Sequence, residues 1–214
     1  YTVGNQKYPS VTTVLSKMIE KPGLAEWRDR VGNEEADRVS NVSKRRGTEP
    51  HRMLQEYVEL ERTPTSYLPA ARDQLLEKFK QTEMPINWAM FKDIYPYLNS
   101  YLTKYYGCEQ ALYSHMFRVA GRTDLIGVWA DELAIIDFKT ANYSKDKDDI
   151  LDYWLQATMY SLMLQEMTGL IAKKLVIIIG IEYAPGPQVL VADRAEFAQQ
   201  ALEIIRCYHI DNPS

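Results

Sequence analysis

The sequence contains little of what several common protein classes require. Its 214 residues include two cysteines, Cys108 and Cys207, which are too few for a disulfide framework, a four-cysteine zinc site or an iron–sulfur cluster. The longest strongly apolar stretch, Leu175 to Ile181, is far shorter than the ~20 residues of a membrane-spanning helix. We therefore expect a protein of a reducing, intracellular compartment, with neither a membrane segment nor an iron–sulfur cluster.

The motifs of two further classes are also missing. No glycine-rich loop is followed by Lys and Ser or Thr, so nothing indicates a nucleotide-driven motor, and residues 146–149 lack the glycine and terminal glutamate of a calcium loop. No internal repeat, low-complexity run or Gly/Ser linker divides the chain. We expect one domain over residues 1–214, because a chain of this length can bury a full core.

Charge is distributed unevenly along a chain whose formal net charge is −4. Residues 1–52 contain ten Lys or Arg and seven Asp or Glu, a balance of +3, whereas the remainder has a balance of −7. The first quarter is therefore the more favourable surface for a polyanion. The surplus carboxylates of the remainder are either metal ligands or a solvated surface.

Periodicity divides the chain into a helical region and a region that contains a sheet. Residues 1–106 are mainly helical, and the predicted helices cover 10–18, 23–31, 33–46, 49–61, 69–82 and 88–106. Residues 107–214 contain the predicted strands 111–117, 122–128, 133–140, 174–181 and 189–191, with helices at 148–167 and 194–208. This order predicts an α/β (α+β) fold, a central mixed β-sheet flanked by helices with an N-terminal helical cap.

Two predicted strands bring like charges together. If Ala130 and Asp131 form a two-residue turn, Asp124 lies directly opposite Asp137, an arrangement that destabilises a sheet. The two-residue period of a strand places Lys139 on the same face as Asp137. This constellation suits a hard divalent cation with a water activated beside it, but a simple ion pair of Lys139 with either carboxylate explains the pattern equally well.

Four further side chains have both a functional and an ordinary explanation. Glu109 begins the preceding strand and is either a ligand or solvated; His51 is either a ligand or a packing residue at a helix edge. Gln156 and Tyr160 are four residues apart and share one face of a predicted helix, at the boundary of its apolar stripe. None of the four is decisive alone.

Four motifs follow one another in a characteristic order. They are Gly47-Thr48-x-x-His51, Ala120-Gly121-Arg122-Thr123-Asp124-Leu125-Ile126, Ile135-Ile136-Asp137-Phe138-Lys139-Thr140 and Gln156-x-x-x-Tyr160. This order resembles the PD-(D/E)xK nuclease superfamily and, within it, the RecB-type nuclease domains. The segment from Tyr8 to Leu15 is similar to the start of mitochondrial genome maintenance exonucleases and their phage-like exonuclease relatives. The resemblance implies a restriction-endonuclease-like core and a nuclease domain.

The resemblance also implies roles for individual residues. His51, Asp124, Asp137 and the backbone carbonyl of Phe138 would coordinate Mg²⁺ or Mn²⁺, and Lys139 would orient or help to deprotonate the attacking water. Such a site suits phosphodiester hydrolysis, which needs a positioned water and positive charge near the phosphate.

Further roles follow for residues around this set. Glu109 would be an additional ligand or a base that acts through water, and Gln156 and Tyr160 would support the site or touch DNA. Two departures are Pro50, which is compatible with the motif only if a helix has just begun, and Thr123 in place of the superfamily's proline.

A basic cluster surrounds the histidine motif. Arg45, Arg46 and Arg52 bracket His51 and are candidate contacts for DNA phosphates, although such a charge run is equally often a solvated surface.

The resemblance implies a metal-dependent exonuclease that acts on single-stranded DNA ends in replication, repair or recombination. The alternatives are a structure-specific endonuclease on the same fold and a non-catalytic nucleic-acid-binding protein, the latter disfavoured because every motif residue is present. We expect a monomer located in the cytoplasm, or in the host cytoplasm if it is encoded by a phage. If a targeting segment precedes Tyr1, the expected location is the mitochondrial matrix.

Overall fold

The computed structural model describes residues 1–20, 22–60 and 68–213, without the side chains of residues 22, 24, 25 and 43–46. Two short strands, β1 (Thr2–Val3) and β2 (Gln6–Lys7), precede the helices α1 (Val11–Met18), α2 (Pro22–Val31), α3 (Asn33–Glu59), α4 (Leu68–Lys80) and α5 (Pro85–Tyr101). The strands β3 (Leu102–Ser114), β4 (Val119–Trp129) and β5 (Glu132–Ala141) follow. The chain continues through α6 (Leu151–Thr168), β6 (Lys174–Ile181), β7 (Gln188–Asp193) and α7 (Arg194–Asp211).

The strands β3 to β7 form one mixed sheet in sequence order. Three neighbouring pairs are antiparallel, and β5 pairs with β6 in parallel, because α6 carries the chain back between them. Helices lie against both faces of this sheet, so the predicted fold class is confirmed. Among the described residues, no helix is long and apolar enough to cross a membrane.

Two apolar cores flank the sheet. Ile135, Leu175 and Ile177 point to the face that α1, α6 and α7 cover. Ile136 and Val176, one residue along each strand, point to the opposite face, which α3, α4 and α5 cover. Since successive strand residues alternate between faces, continuous runs such as Leu175–Ile179 are apolar on both sides.

The helix α3 differs from the sequence prediction of two helices, at 33–46 and 49–61. The structure has one helix from Asn33 to Glu59, with Pro50 inside it. Pro50 removes one backbone hydrogen bond and is buried, and packing of α3 against α5 and β5 holds the helix together across it. A helix that has just begun is therefore not needed to place His51.

The boundary between helical region and sheet also differs from the prediction. The predicted helix 88–106 ends at Tyr101, and β3 begins at Leu102. The predicted strand 111–117 is the second half of β3. Bulges interrupt the pairing of β3 with β4, and Gly107, which was expected to end a helix, lies at one of them.

The hairpin between β4 and β5 has the predicted register. Five pairs run from Trp129 opposite Glu132 to Leu125 opposite Ile136. Ala130 and Asp131 form the turn with φ of 47° and 70°, the positive values of a type I′ turn. The register that brings Asp124 towards Asp137 is therefore confirmed.

Candidate functional site

The site begins where β4 and β5 separate. Their backbone pairing ends at Leu125 and Ile136, one residue before Asp124 and Asp137 would pair. At this point the N–H of Phe138 donates to Oδ2 of Asp124 at 2.7 Å. A carboxylate thus takes the place of the next backbone acceptor, and the side chain of Asp124 is fixed within the gap between the strands.

Asp137 and Lys139 lie on the same face of β5, as the strand period predicts. Asp137 is fully buried, and its Oδ2 forms an ion pair with Nζ of Lys139. Nζ also lies 5.1 Å from the ring centroid of Tyr153, which belongs to α6. The ion-pair alternative is therefore present in the metal-free structure, and it leaves the second carboxylate, Asp124, without a direct cationic partner among the described residues.

His51 reaches the site from α3, on the other side of the sheet. Its Nδ1 lies 3.6 Å from Oδ2 of Asp124, and its ring meets that of Phe138 edge to face at 6.2 Å between centroids. Burial and the charge of Lys139 lower the pKa of His51 to about 4, despite Asp137 and a hydrogen bond to the backbone of Phe138. The imidazole is neutral at pH 7, the form that ligates metals.

The two carboxylates shift the protonation equilibria of the site. Burial, together with the charge of Asp137, raises the pKa of Asp124 to about 8, although Lys139 and the Phe138 N–H oppose the shift. Burial lowers the pKa of Lys139, but Asp137 and Asp124 outweigh it, so the net shift is upward. The lysine remains cationic at neutral pH, and the carboxyl pair lacks positive charge.

Gln156 and Tyr160 extend the site along α6. Nε2 of Gln156 donates to Oδ1 of Asp137 at 3.2 Å and contacts the hydroxyl of Tyr160 at 3.3 Å. Tyr160 is 3% exposed. Of the two roles that the resemblance implies, these contacts favour support of Asp137 over direct contact with DNA for Tyr160.

Gly121 provides the space in which Tyr160 sits. A Cβ added at Gly121 would lie 2.7 Å from Cε1 of Tyr160, closer than real contacts allow. The sequence analysis quoted this glycine in a motif but gave it no role. Its function follows only from the structure, because the residue that approaches it lies on α6, 39 positions later in the chain.

Glu109 lies on β3 beside the carboxylate pair. It falls between the pairs Cys108–Leu125 and Gln110–Thr123, at the level of Asp124, and its φ is 49°. Its Oε2 lies 3.4 Å from Nη1 of Arg122, whose side chain is 58% exposed. The positive φ is an uncommon conformation for glutamate and is typical of functional sites.

The basic candidates lie along α3. Arg52 forms ion pairs with Glu49, at 2.6 Å from Nη2 to Oε1, and with Glu56. Arg45 and Arg46 belong to the same helix, but their side chains lie outside the described residues. The role of all three in DNA binding stays a prediction.

The donor set fits a hard divalent cation in its chemistry. Carboxylate oxygens, a neutral imidazole and a backbone carbonyl are ligands of Mg²⁺ and Mn²⁺, and a cation would relieve the repulsion that raises the pKa of Asp124. Within residues 1–20, 22–60 and 68–213, no three His, Cys, Asp or Glu side chains converge closely enough to hold an ion as they stand. Asp137 would exchange part of its contact with Lys139 for the metal.

Comparison with known proteins identifies the family. The model of the PD-(D/E)XK nuclease superfamily matches residues 24–206, and the chain therefore belongs to this superfamily. Nucleases of this superfamily act on nucleic acids and generally use divalent metal ions. No curated protein matched.

Solved structures add a similarity of geometry. One that matches is the crystal structure of SSO0001, at 13% sequence identity and a TM-score of 0.36, over 77% of this chain and 76% of that one. At this TM-score the likeness carries no argument about function.

Proposed function

We propose that this protein is a metal-dependent DNA exonuclease that hydrolyses phosphodiester bonds from single-stranded ends. The observation that carries the proposal is the gap between β4 and β5, where Asp124, the Asp137–Lys139 pair and His51 meet. The resemblance to mitochondrial and phage-like exonucleases supports the exonuclease mode, the preference for single strands and a role in replication, repair or recombination. A monomer in an intracellular compartment is consistent with that role.

In this proposal each residue of the site has one task. His51, Asp124, Asp137 and the carbonyl of Phe138 would hold Mg²⁺ or Mn²⁺, which supplies Lewis acidity and an activated water when bound. Glu109 would act from β3 as an outer ligand or through a water. Gln156 would fix Oδ1 of Asp137 by its hydrogen bond at 3.2 Å, so that the other oxygen is directed into the site.

Lys139 would orient the attacking water and stabilise the charge that develops on the phosphate. Its raised pKa supports this role over that of a general base, because a cationic amine has no lone pair to accept a proton. Its contact with the Tyr153 ring, at 5.1 Å, would hold the ammonium in place when Asp137 turns to the metal.

The deciding experiment compares linear with covalently closed circular single-stranded DNA, each in Mg²⁺, Mn²⁺ or excess EDTA. An exonuclease degrades only the linear strand and only with metal. Rapid cleavage of the circle would indicate an endonuclease, and binding without cleavage of either substrate would indicate a non-catalytic protein. Full cleavage in EDTA would contradict the metal site.

A further inference from the structure

A cavity of about 530 Å³ lies outside the proposed metal ligands, between α3, the end of α4 and the start of α5. Its inner wall includes Met53 and Phe79, which are 0% and 1% exposed. Thr48, Thr82 and Asn87 place polar groups among these apolar ones. A mainly apolar cavity of this size with a few polar groups is typical of a small-molecule or nucleotide site.

One of these polar groups has no partner. Asn87 is 1% exposed, and its Oδ1 accepts no hydrogen bond from any described residue. Its backbone N–H is already used, because it donates to the carbonyl of Met84 at 2.9 Å. A buried acceptor without a donor is rare and unfavourable, so Oδ1 indicates a ligand that brings an N–H or O–H group.

The charges at the rim argue against a phosphate as that ligand. Nη2 of Arg52 pairs with Glu49 at 2.6 Å, and Nζ of Lys78 pairs with Glu56 at 2.7 Å. Both cations are therefore neutralised by nearby carboxylates, and Glu83 adds a further negative charge to the lining. The cavity suits a neutral, flat, partly apolar ligand that donates hydrogen bonds.

The cavity is also close to the proposed metal site. Thr48 and Arg52 lie on α3 three residues before and one residue after His51. Successive helix residues are about 100° apart around the axis and rise about 1.5 Å. The cavity therefore opens within one turn of His51, on the adjacent side of the same helix.

We propose that this cavity takes one unstacked nucleobase of the DNA strand, whose ring N–H or exocyclic amino group donates to Oδ1 of Asn87. Met53 and Phe79 would contact the apolar part of the base. Recognition of single strands commonly uses such splayed bases, because the hydrogen-bonding edge of an unpaired base is free. This inference rests on the proposed function, since it assigns the position of a nucleotide next to the cleaved one.

The test is an abasic scan of DNA binding. A Lys139→Ala protein, held in Mg²⁺, is titrated with oligonucleotides that lack one base at successive positions from the end. A base in the cavity predicts a loss of affinity of about three- to tenfold at one position only, the value of one hydrogen bond and its apolar contacts. A flat scan, with DNA otherwise bound, overturns the inference and leaves the proposed function standing.

A variant pair assigns the position to Asn87. Asn87→Leu removes the acceptor, so it should weaken binding of the complete strand to the level of the abasic strand and abolish the effect of the missing base. Asn99→Leu, on an exposed part of the same helix, should leave the scan unchanged. Equal sensitivity of Asn87→Leu to the missing base would overturn the inference.

Two further outcomes keep the test decisive. If a neutral methylphosphonate linkage, and not a missing base, causes the position-specific loss, the cavity holds a phosphate and the inference is wrong. If Asn87→Leu does not fold, the scan with Asn87 intact still supports or overturns the proposal. Absence of any DNA binding or hydrolysis would instead contradict the proposed function itself.

Discussion

At the scale of single residues, Lys139 is held between the carboxylate of Asp137 and the ring of Tyr153. We expect Lys139→Ala to reduce hydrolysis by roughly two to four orders of magnitude while retaining DNA binding and most of the metal affinity. Single-turnover hydrolysis and a binding titration measure the two effects. Lys174→Ala is the matched control, because Lys174 pairs with Asp193 and Glu132 on the neighbouring strand. Turnover near that of the wild type would contradict the assignment.

Asp124 allows a test that does not depend on catalysis. Asp124→Asn removes one of two repelling charges but keeps an oxygen that can accept from the Phe138 N–H. Without metal, we expect a rise in thermal midpoint equivalent to ~1 kcal/mol, on the order of a few degrees for a chain of this size. With Mg²⁺ the wild type should gain stability and the variant much less, because a ligand charge is gone.

Calorimetry in EDTA and in Mg²⁺ measures both differences for Asp124→Asn. Asp73→Asn, on the exposed side of α4, is the control and should change neither midpoint. A metal-free variant that is clearly less stable than the wild type would indicate a structural role for the Asp124 charge. A metal-induced shift as large as that of the wild type would place the metal elsewhere.

The residues of the site could be predicted where a local pattern determines their position. The strand period and the turn at Ala130 and Asp131 suffice to bring Asp124, Asp137 and Lys139 together. The approach of Gln156 to Asp137 and of Tyr160 to Gly121 joins segments distant in sequence, and only the resemblance indicated the first two residues. The site roles themselves stay predictions.

At the scale of elements, the β4–β5 turn contains a residue in a costly conformation. Ala130 has a φ of 47°, in a turn type that favours asparagine or glycine. We expect Ala130→Gly to raise the free energy of unfolding by about 0.5–1 kcal/mol, since the strain at Cβ is removed. Denaturant titration measures the change.

The same substitution elsewhere provides the control for Ala130→Gly. Ala198 lies in the interior of α7, where glycine costs roughly 0.5–1 kcal/mol relative to alanine. Ala198→Gly should therefore destabilise the protein, so that one substitution type has opposite signs at two positions. Destabilisation at both positions would show that the turn is not strained.

The elements that the sequence predicted incorrectly share one physical cause. Pro50 and Gly47 are strong local signals for the end of a helix, yet α3 continues through both, because it is packed against β5 and α5. In the same way, β3 begins five residues before Gly107, where pairing with β4 overrides local helical periodicity. Tertiary packing decides such positions, and a single sequence does not contain it.

At the scale of the whole molecule, the uneven charge distribution predicts how DNA binding responds to salt. Residues 1–52 are net positive in a chain of formal charge −4. If Arg45 and Arg46 contact phosphates, replacing both with alanine should weaken single-stranded DNA binding uniformly across sequences and reduce the slope of log affinity against log salt by about 1–2. Fluorescence titrations at several salt concentrations measure the slope.

The control for this double variant is an arginine whose position is known. Arg206 pairs with Glu203 on α7, at 2.6 Å between Nη2 and Oε1. Arg206→Ala should leave both affinity and slope unchanged. If Arg45 and Arg46 behave like Arg206, the cluster is a solvated surface and the strand runs elsewhere.

The order of layers was accessible from the sequence, whereas the partition of helices between them was not. Strands after helices predicted a mixed sheet with helical cover, as the structure has it. That α3 to α5 cover one face and α1, α6 and α7 the other depends on contacts between distant segments. This partition brings His51 to the carboxylates from the far side of the sheet.

The hydrogen bond from Phe138 to Asp124 turns a backbone amide into a spectroscopic reporter of the site. An amide proton that donates to a carboxylate at 2.7 Å resonates according to the charge of that carboxylate. Protonation of Asp124, or withdrawal of its electron density by a cation, would therefore move one assigned peak in an ¹⁵N-correlated spectrum. Occupancy of the site could be followed through this single nucleus, in the absence of DNA and without any turnover.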